Sequence, residues 1–194
     1  MNRISVSPGN RKMGGDIPSI SFPPLLTCRP GAPCARVCYA LKPYLSNRSV
    51  RSAWQRNLDM YLKDPKRFFE QIHAYVVWHC VKRFRWFVAG DIPDVPFLEG
   101  VKQLCRETPG TSHLMFTKRY DLDLDLDGCP PNLNMLFSLF PGLDIPDWVQ
   151  NHRKAFFQDG TESRTTGKEF VCSGHCAACL YCWDESGDVV FIKH

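Results

Sequence analysis

Ten cysteines stand in a chain of 194 residues, and seven of them fall in two short runs. The late run is Cys172-x3-Cys176-x2-Cys179-x2-Cys182, and the early one is Cys28-x5-Cys34-x3-Cys38. Cys80, Cys105 and Cys129 are scattered. A disulfide framework spreads its cysteines along a chain, whereas a metal needs several thiolates converging on one point. The opening segment MNRISVSPGNRKMGGD is polar and lacks the apolar core of an export signal. Clustered thiols without such a signal point to metal ligation in a reducing compartment.

The four late thiols suit an iron–sulfur cluster, in which every ligand is a thiolate, and they also satisfy tetrahedral zinc. Zinc sites usually join two separated Cys-x2-Cys arms, so a single compact run favours iron and sulfide. His175 lies inside the run as a substitute ligand. Three early thiols leave one position of a 4Fe–4S cluster for a distant cysteine, a water or a small molecule. Two ways of sharing the seven cysteines stay open. The late four hold their own site beside an early cluster with one open iron, or the early three and one late cysteine build a single cluster.

Other signals are weaker. Asp123-x-Asp125-x-Asp127-Gly128 opens like a calcium loop, but Pro130 and Pro131 interrupt it and position twelve is Asn134 rather than Glu. A solvated turn is the expectation there. Asp91 and Asp94 follow a strand, where acids cap the next helix or line a site. Lys118 and Arg119 follow another strand, where they neutralise an anion or simply face solvent. His73 and His79 lie near a helix's apolar stripe and read as core residues. Cys80 and Cys105 read as ordinary buried thiols. Trp183 is expected to pack over the metal site and keep water from it.

These residues need elements to hold them. Ser19-Ile20-Ser21-Phe22 alternates like a short strand and delivers the chain to the early loop. Helical spacing covers Ser46 to Leu62, and a second helix runs from Pro65 to about Arg83. That second helix carries a stripe of Phe68, Phe69, Ile72, Tyr75, Val76, His79 and Cys80. Phe84 to Ala89 reads as a strand and Phe97 to Glu107 as a helix. Ser112 to Thr117 and Leu133 to Leu139 read as strands, Pro146 to Phe157 as a helix, and Gln158 to Lys168 as a loop. Phe170-Val171 and Val189 to Ile192 are the last strands. Strands alternating with helices predict βαβ units and a parallel sheet whose loops share one edge.

The chain is 44% hydrophobic and 23% charged, ordinary globular usage that excludes a disordered or fibrous protein. A net charge of +4 is too mild to indicate nucleic acid, and no apolar run approaches the roughly 20 residues that span a bilayer. A single α/β domain over 1–194 is expected, with 1–18 as a loose lead-in and 28–38 and 172–182 as metal-binding loops.

TCRPGAPCARVCYA, FRWFVAGD, MFTKRYD, PNLNMLFSLFPG and CSGHCAACLYCW, in that order, resemble the phage gene product 88 family. The resemblance implies a small iron–sulfur protein related to the radical S-adenosylmethionine barrel. It implies an incomplete (βα) barrel-like parallel sheet with helices outside and cysteine-rich loops on one edge. It also implies a viral protein acting in the host cytoplasm, with one or two 4Fe–4S clusters. Cys28, Cys34 and Cys38 then hold the cofactor side, and Cys172, Cys176, Cys179 and Cys182 complete the metal ligands. The early spacing departs from the Cys-x3-Cys-x2-Cys of radical enzymes, and no Gly-Gly-Glu segment is present to grip S-adenosylmethionine. Catalytic residues are therefore not assigned. The expected role is electron transfer, redox sensing or a radical-type reaction with a redox partner or small substrate. The alternative is a zinc-stabilised module that contacts a host protein or nucleic acid.

Overall fold

The computed structural model describes residues 3–10, 12–158 and 167–192. Seven strands form one open sheet: β1 (Ser19–Ile20), β2 (Arg83–Trp86), β3 (Ser112–Thr117), β4 (Leu133–Leu139), β5 (Lys154–Gln158), β6 (Phe170–Val171) and β7 (Val189–Ile192). Their spatial order is β1-β2-β3-β4-β5-β7-β6, and every pairing is parallel. The α/β class is as expected, and the sheet does not close, since β1 and β6 end it on opposite sides.

Three helices separate β1 from β2: α1 (Leu41–Ser46), α2 (Arg48–Lys63) and α3 (Pro65–Trp78). A fourth, α4 (Val95–Glu107), separates β2 from β3. Their starts follow capping chemistry. Asn47 accepts from the amides of Ser49 and Val50, Asp64 from that of Arg67, and Asp94 from that of Phe97. Pro65 takes the first position of α3, where its missing N–H costs nothing. Asp94 is thus a cap, and Asp91 is not.

The helix layer packs on the sheet face that carries Phe84, Trp86 and Met115, with Phe22, Tyr61, Phe68 and Phe97 filling the space between. Along α3 the predicted stripe is buried at Phe68, Ile72 and Val76, while His79 and Cys80 are exposed. The helix stops at Trp78, short of the expected end near Arg83, and Cys80 takes a left-handed φ of 48°. Cys105 is fully buried, as expected.

Other boundaries differ for identifiable reasons. β2 ends at Trp86 because Phe87 has φ 56°, which takes it out of the strand and turns its ring back among Phe22 and Phe97. The helix expected over Pro146 to Phe157 is instead a 3-10 turn, Asp147–Asn151, followed by β5. Short apolar runs such as Ala155-Phe156-Phe157 do not distinguish helix from strand by periodicity. Of the loop expected over Gln158 to Lys168, residues 159–166 lie outside the described residues.

The opposite sheet face carries Leu114, Leu136, Ala155 and Val189, and it is covered by Met13, Ile17 and Trp183. The opening segment, expected to be loose, is therefore packed. Ser7 bridges Ser19, and the Ser5 amide donates to Asn57 Oδ1 at 2.7 Å. Among the described residues, no helix is long and apolar enough to cross a membrane.

Candidate metal centre

The early cysteine loop leaves the end of β1 and is tied to the ends of β2 and β3 through Thr27. The Asp91 amide donates to Thr27 Oγ1 at 3.0 Å, and Arg119 Nη1 donates to the Thr27 carbonyl at 2.9 Å. Arg119 also donates to the carbonyl of Ile92 at 2.6 Å and pairs with Asp121 at 3.0 Å. It is a buried strut rather than a solvent-facing charge. The close fit requires glycine at position 90. With φ 79°, a Cβ there would stand 2.8 Å from Thr27 Oγ1 and 2.9 Å from Phe22 Cβ.

Asp91 is buried beneath this loop. Its carboxylate accepts from Thr117 Oγ1 at 2.7 Å and from the amides of Lys118 and Ile92 at 2.8 Å. Burial pushes its pKa up, and these bonds pull the other way. Above it, Pro33–Val37 form a 3-10 turn carrying Cys34, and Gly31 at φ 71° turns the chain into it. Burial pushes the Cys28 thiol up to about 11, with Asp91 adding to the effect. Burial also raises Cys34, against the pull of Lys118. Cys28, Cys34 and Cys38 lie near enough for their charges to act on one another.

The late run begins where β6 ends and lies across the sheet face opposite α2–α4. Its helical parts are two single turns, α5 (Cys176–Cys179) and α6 (Tyr181–Asp184), joined by Leu180 in a left-handed conformation, φ 54°. It is held from several sides. The Cys176 amide donates to the Lys12 carbonyl at 2.9 Å. Arg153 donates to the Cys182 carbonyl at 3.3 Å and to the Gly187 carbonyl at 3.1 Å. Arg83 pairs with Asp184 at 3.0 Å. Cys172, Cys176 and Cys182 pack on the layer around Leu114, Leu136 and buried Trp183. Burial pushes Cys182 up to about 11 and raises Cys176, with Arg85 opposing the shift at both. His175 is exposed at the start of α5.

Arg85 lies between Tyr39, at the end of the early loop, and the late cysteines. Its guanidinium stacks over Phe116 at 4.1 Å, and Nη2 donates to the Phe87 carbonyl at 3.4 Å. The fields of Tyr39, Cys182, Cys176 and Cys172 act on it, in that order of size. Tyr39 follows Cys38 and donates its hydroxyl to the Val88 carbonyl, and Val88 packs with the late run. The early loop and the late run thus flank the end of β2 from two sides. Arg85 escaped notice in the sequence, although Arg83 and Arg85 alternating with Phe84 and Trp86 signal a charged position on a two-sided sheet.

All ten cysteines are free thiols. Among the described residues no three Cys, His, Asp or Glu side chains are gathered closely enough to hold an ion. The Asp123–Asp127 segment is engaged elsewhere, with Asp125 paired to buried Lys102 at 3.1 Å. The donor set nevertheless suits a soft metal, since thiolates select zinc, copper(I) and iron–sulfur groups. Three buried side-chain donors also lack a partner among the described residues: the Nε atoms of Arg83 and Arg85 and the indole of Trp183.

Comparison with curated proteins gave no match, and neither did comparison with solved structures. A family model described as gene product 88 matches residues 3–179, a span that includes six of the seven clustered cysteines and stops before Cys182. The chain belongs to the gene product 88 family.

Proposed function

We propose that this protein is a viral iron–sulfur protein that binds a 4Fe–4S cluster through its clustered cysteines and works as a redox carrier in the host cytoplasm. The observation that carries the proposal is the placement of Cys172, Cys176 and Cys182 beside Arg85, with Tyr39 of the early cysteine loop, more than 130 residues away in sequence, reaching the same guanidinium. Packing alone gives no reason for two loops so far apart in sequence, each with clustered free thiols, to reach one cation.

When bound, such a group supplies one-electron transfer, with a potential set by net charge, hydrogen bonds to sulfur and exposure to water. The chain's own residues support each of these. Thr27, Asp91 and Arg119 fix the stem of the early loop. Arg153 and Arg83 fix the end of the late run. Trp183 excludes water from the layer beneath Cys172, Cys176 and Cys182. Burial keeps the metal-free thiols protonated at neutral pH, so loading releases protons and strengthens as pH rises. Loading also draws the sulfurs together, a change within reach of two single-turn helices and a turn-rich loop.

Replacing Cys34 and Cys38 together with Ala tests the assignment of the early loop. The expected outcome is loss of iron and sulfide with an unchanged far-UV circular dichroism spectrum. Full retention of both would exclude the early loop as ligand. Zinc bound without sulfide would replace the redox carrier by a zinc-stabilised module. Binding of S-adenosylmethionine to the iron-loaded protein would extend the role to radical chemistry.

A further inference from the structure

Every buried side-chain donor without a partner among the described residues lies in one layer, between the sheet and the late cysteine run. Arg83 and Arg85 project from β2 on the face that carries Leu114 and Phe116, as their register with β3 requires. Arg83 Nη2 is used by Asp184 of α6, but its Nε is not used. Arg85 stacks on Phe116, a residue packed in the layer that holds Cys172, Cys176 and Cys182. Trp183 is 5% exposed in the same layer, with its indole N–H unused.

A buried donor left unpaired costs about 1–3 kcal/mol, and folded proteins pair more than about 90% of such groups. Three in one layer imply an acceptor beyond the described residues. That layer also holds the thiol sulfurs of Cys172, Cys176 and Cys182, which are weak acceptors when protonated and strong ones as thiolates. The backbone at the end of β2 is arranged to match. Strict alternation would place Phe87 on this face above Arg85. Its left-handed φ of 56° sends the ring to the helix layer instead, a strained conformation in a buried aromatic residue.

We propose that Arg85, with Trp183 as a second donor, is the positioning cation of the late cysteine centre, its N–H groups donating to the thiolate and sulfide sulfurs of the bound cluster. This role presupposes the iron–sulfur centre proposed above. Reduction adds one electron to the centre, supplied in the test by dithionite, and breaks no bond. The guanidinium stabilises the added negative charge and so raises the reduction potential. Arg85 also lies beside Tyr39, the residue after Cys38, so its charge acts on the late cysteines and on the end of the early loop.

The test is a mediated redox titration of wild type, Arg85→Met, Arg85→Lys and Trp183→Phe, with iron and sulfide measured on each. Loaded Arg85→Met is expected to show at least a tenfold smaller equilibrium constant for reduction, a fall of about 59 mV for one electron. Arg85→Lys, which keeps the charge and loses the planar fork, should fall by less, and Trp183→Phe should also fall. Metal-free Arg85→Met should melt at or above the wild-type temperature, because the group removed had an unpaired Nε. An unchanged potential in loaded Arg85→Met overturns the role, as does a metal-free variant that melts well below wild type. If Arg85→Met takes up no iron, recovery of uptake by Arg85→Lys supports the role and its failure overturns it. Wild type without iron and sulfide overturns the centre and the role together, whereas a loaded centre indifferent to Arg85 overturns the role alone.

Discussion

Asp91 and Gly90 do at residue scale what the early loop cannot do for itself. A loop with Pro30, Gly31 and Pro33 forms few backbone bonds of its own, so its position depends on what grips its stem. Thr27 is that grip, and it is held by the Asp91 amide and by Arg119. The Asp91 carboxylate in turn fixes Thr117 and Lys118 at the end of β3. Asp91→Ala would leave these donors buried and unpaired, at a cost of roughly 2–3 kcal/mol in urea-unfolding free energy. Loss of iron uptake should accompany it. A change below about 0.5 kcal/mol, the size of an ordinary surface substitution, would mean that the carboxylate is not an anchor. The sequence placed Asp91 correctly after a strand but could not separate it from Asp94. Only the fold reveals that Asp94 caps α4, whereas the Asp91 carboxylate fixes the end of β3 and its amide grips the loop stem.

Among the elements, β3 links the helix layer to the cysteine layer. His113 on its helix-facing side is fully buried. Trp86 Nε1 donates to its Nδ1 at 3.3 Å, so Nε2 carries the hydrogen and donates to Thr108 Oγ1 at 3.0 Å. Thr108 passes its own hydrogen to the Leu104 carbonyl at the end of α4. The ring is therefore held neutral, and burial pushes its pKa down to about 4. An unfolded histidine binds a proton near pH 6.5, whereas the folded one does so only near 4. The stabilisation is complete above pH 6.5 and is lost as pH falls toward 4, by up to about 3 kcal/mol. His113→Gln should flatten that acid limb in urea-unfolding curves recorded from pH 7 to 4, and an unchanged slope would remove His113 as its source. β3 was readable in the sequence from end to end, as were β4, β6 and β7. The late helix before Phe157 was misread because β5 is short and lacks strict alternation. The left-handed Phe87 that ends β2 has no signal in residue type at all.

For the whole molecule, the open parallel sheet explains how two distant cysteine runs are placed around β2. Parallel strands return each connection over a face, and the chain uses both faces. One is covered by α2–α4, the other by the opening segment and the late run. A closed barrel would bury only one face against helices and leave no platform for Cys172–Cys182. The cysteine spacing suggested a metal site but not where the two runs lie, since loops on one sheet edge were expected for both. Only the early run sits in that way. The late run lies on the sheet face, beside Arg85 and across it from Tyr39 of the early loop. The most direct measurement of the central claim is iron, acid-labile sulfide and zinc per chain on anaerobically purified protein. About four irons with matching sulfide, or about eight if both sets are loaded, is the predicted result. Zinc without sulfide, or no metal at all, would contradict it.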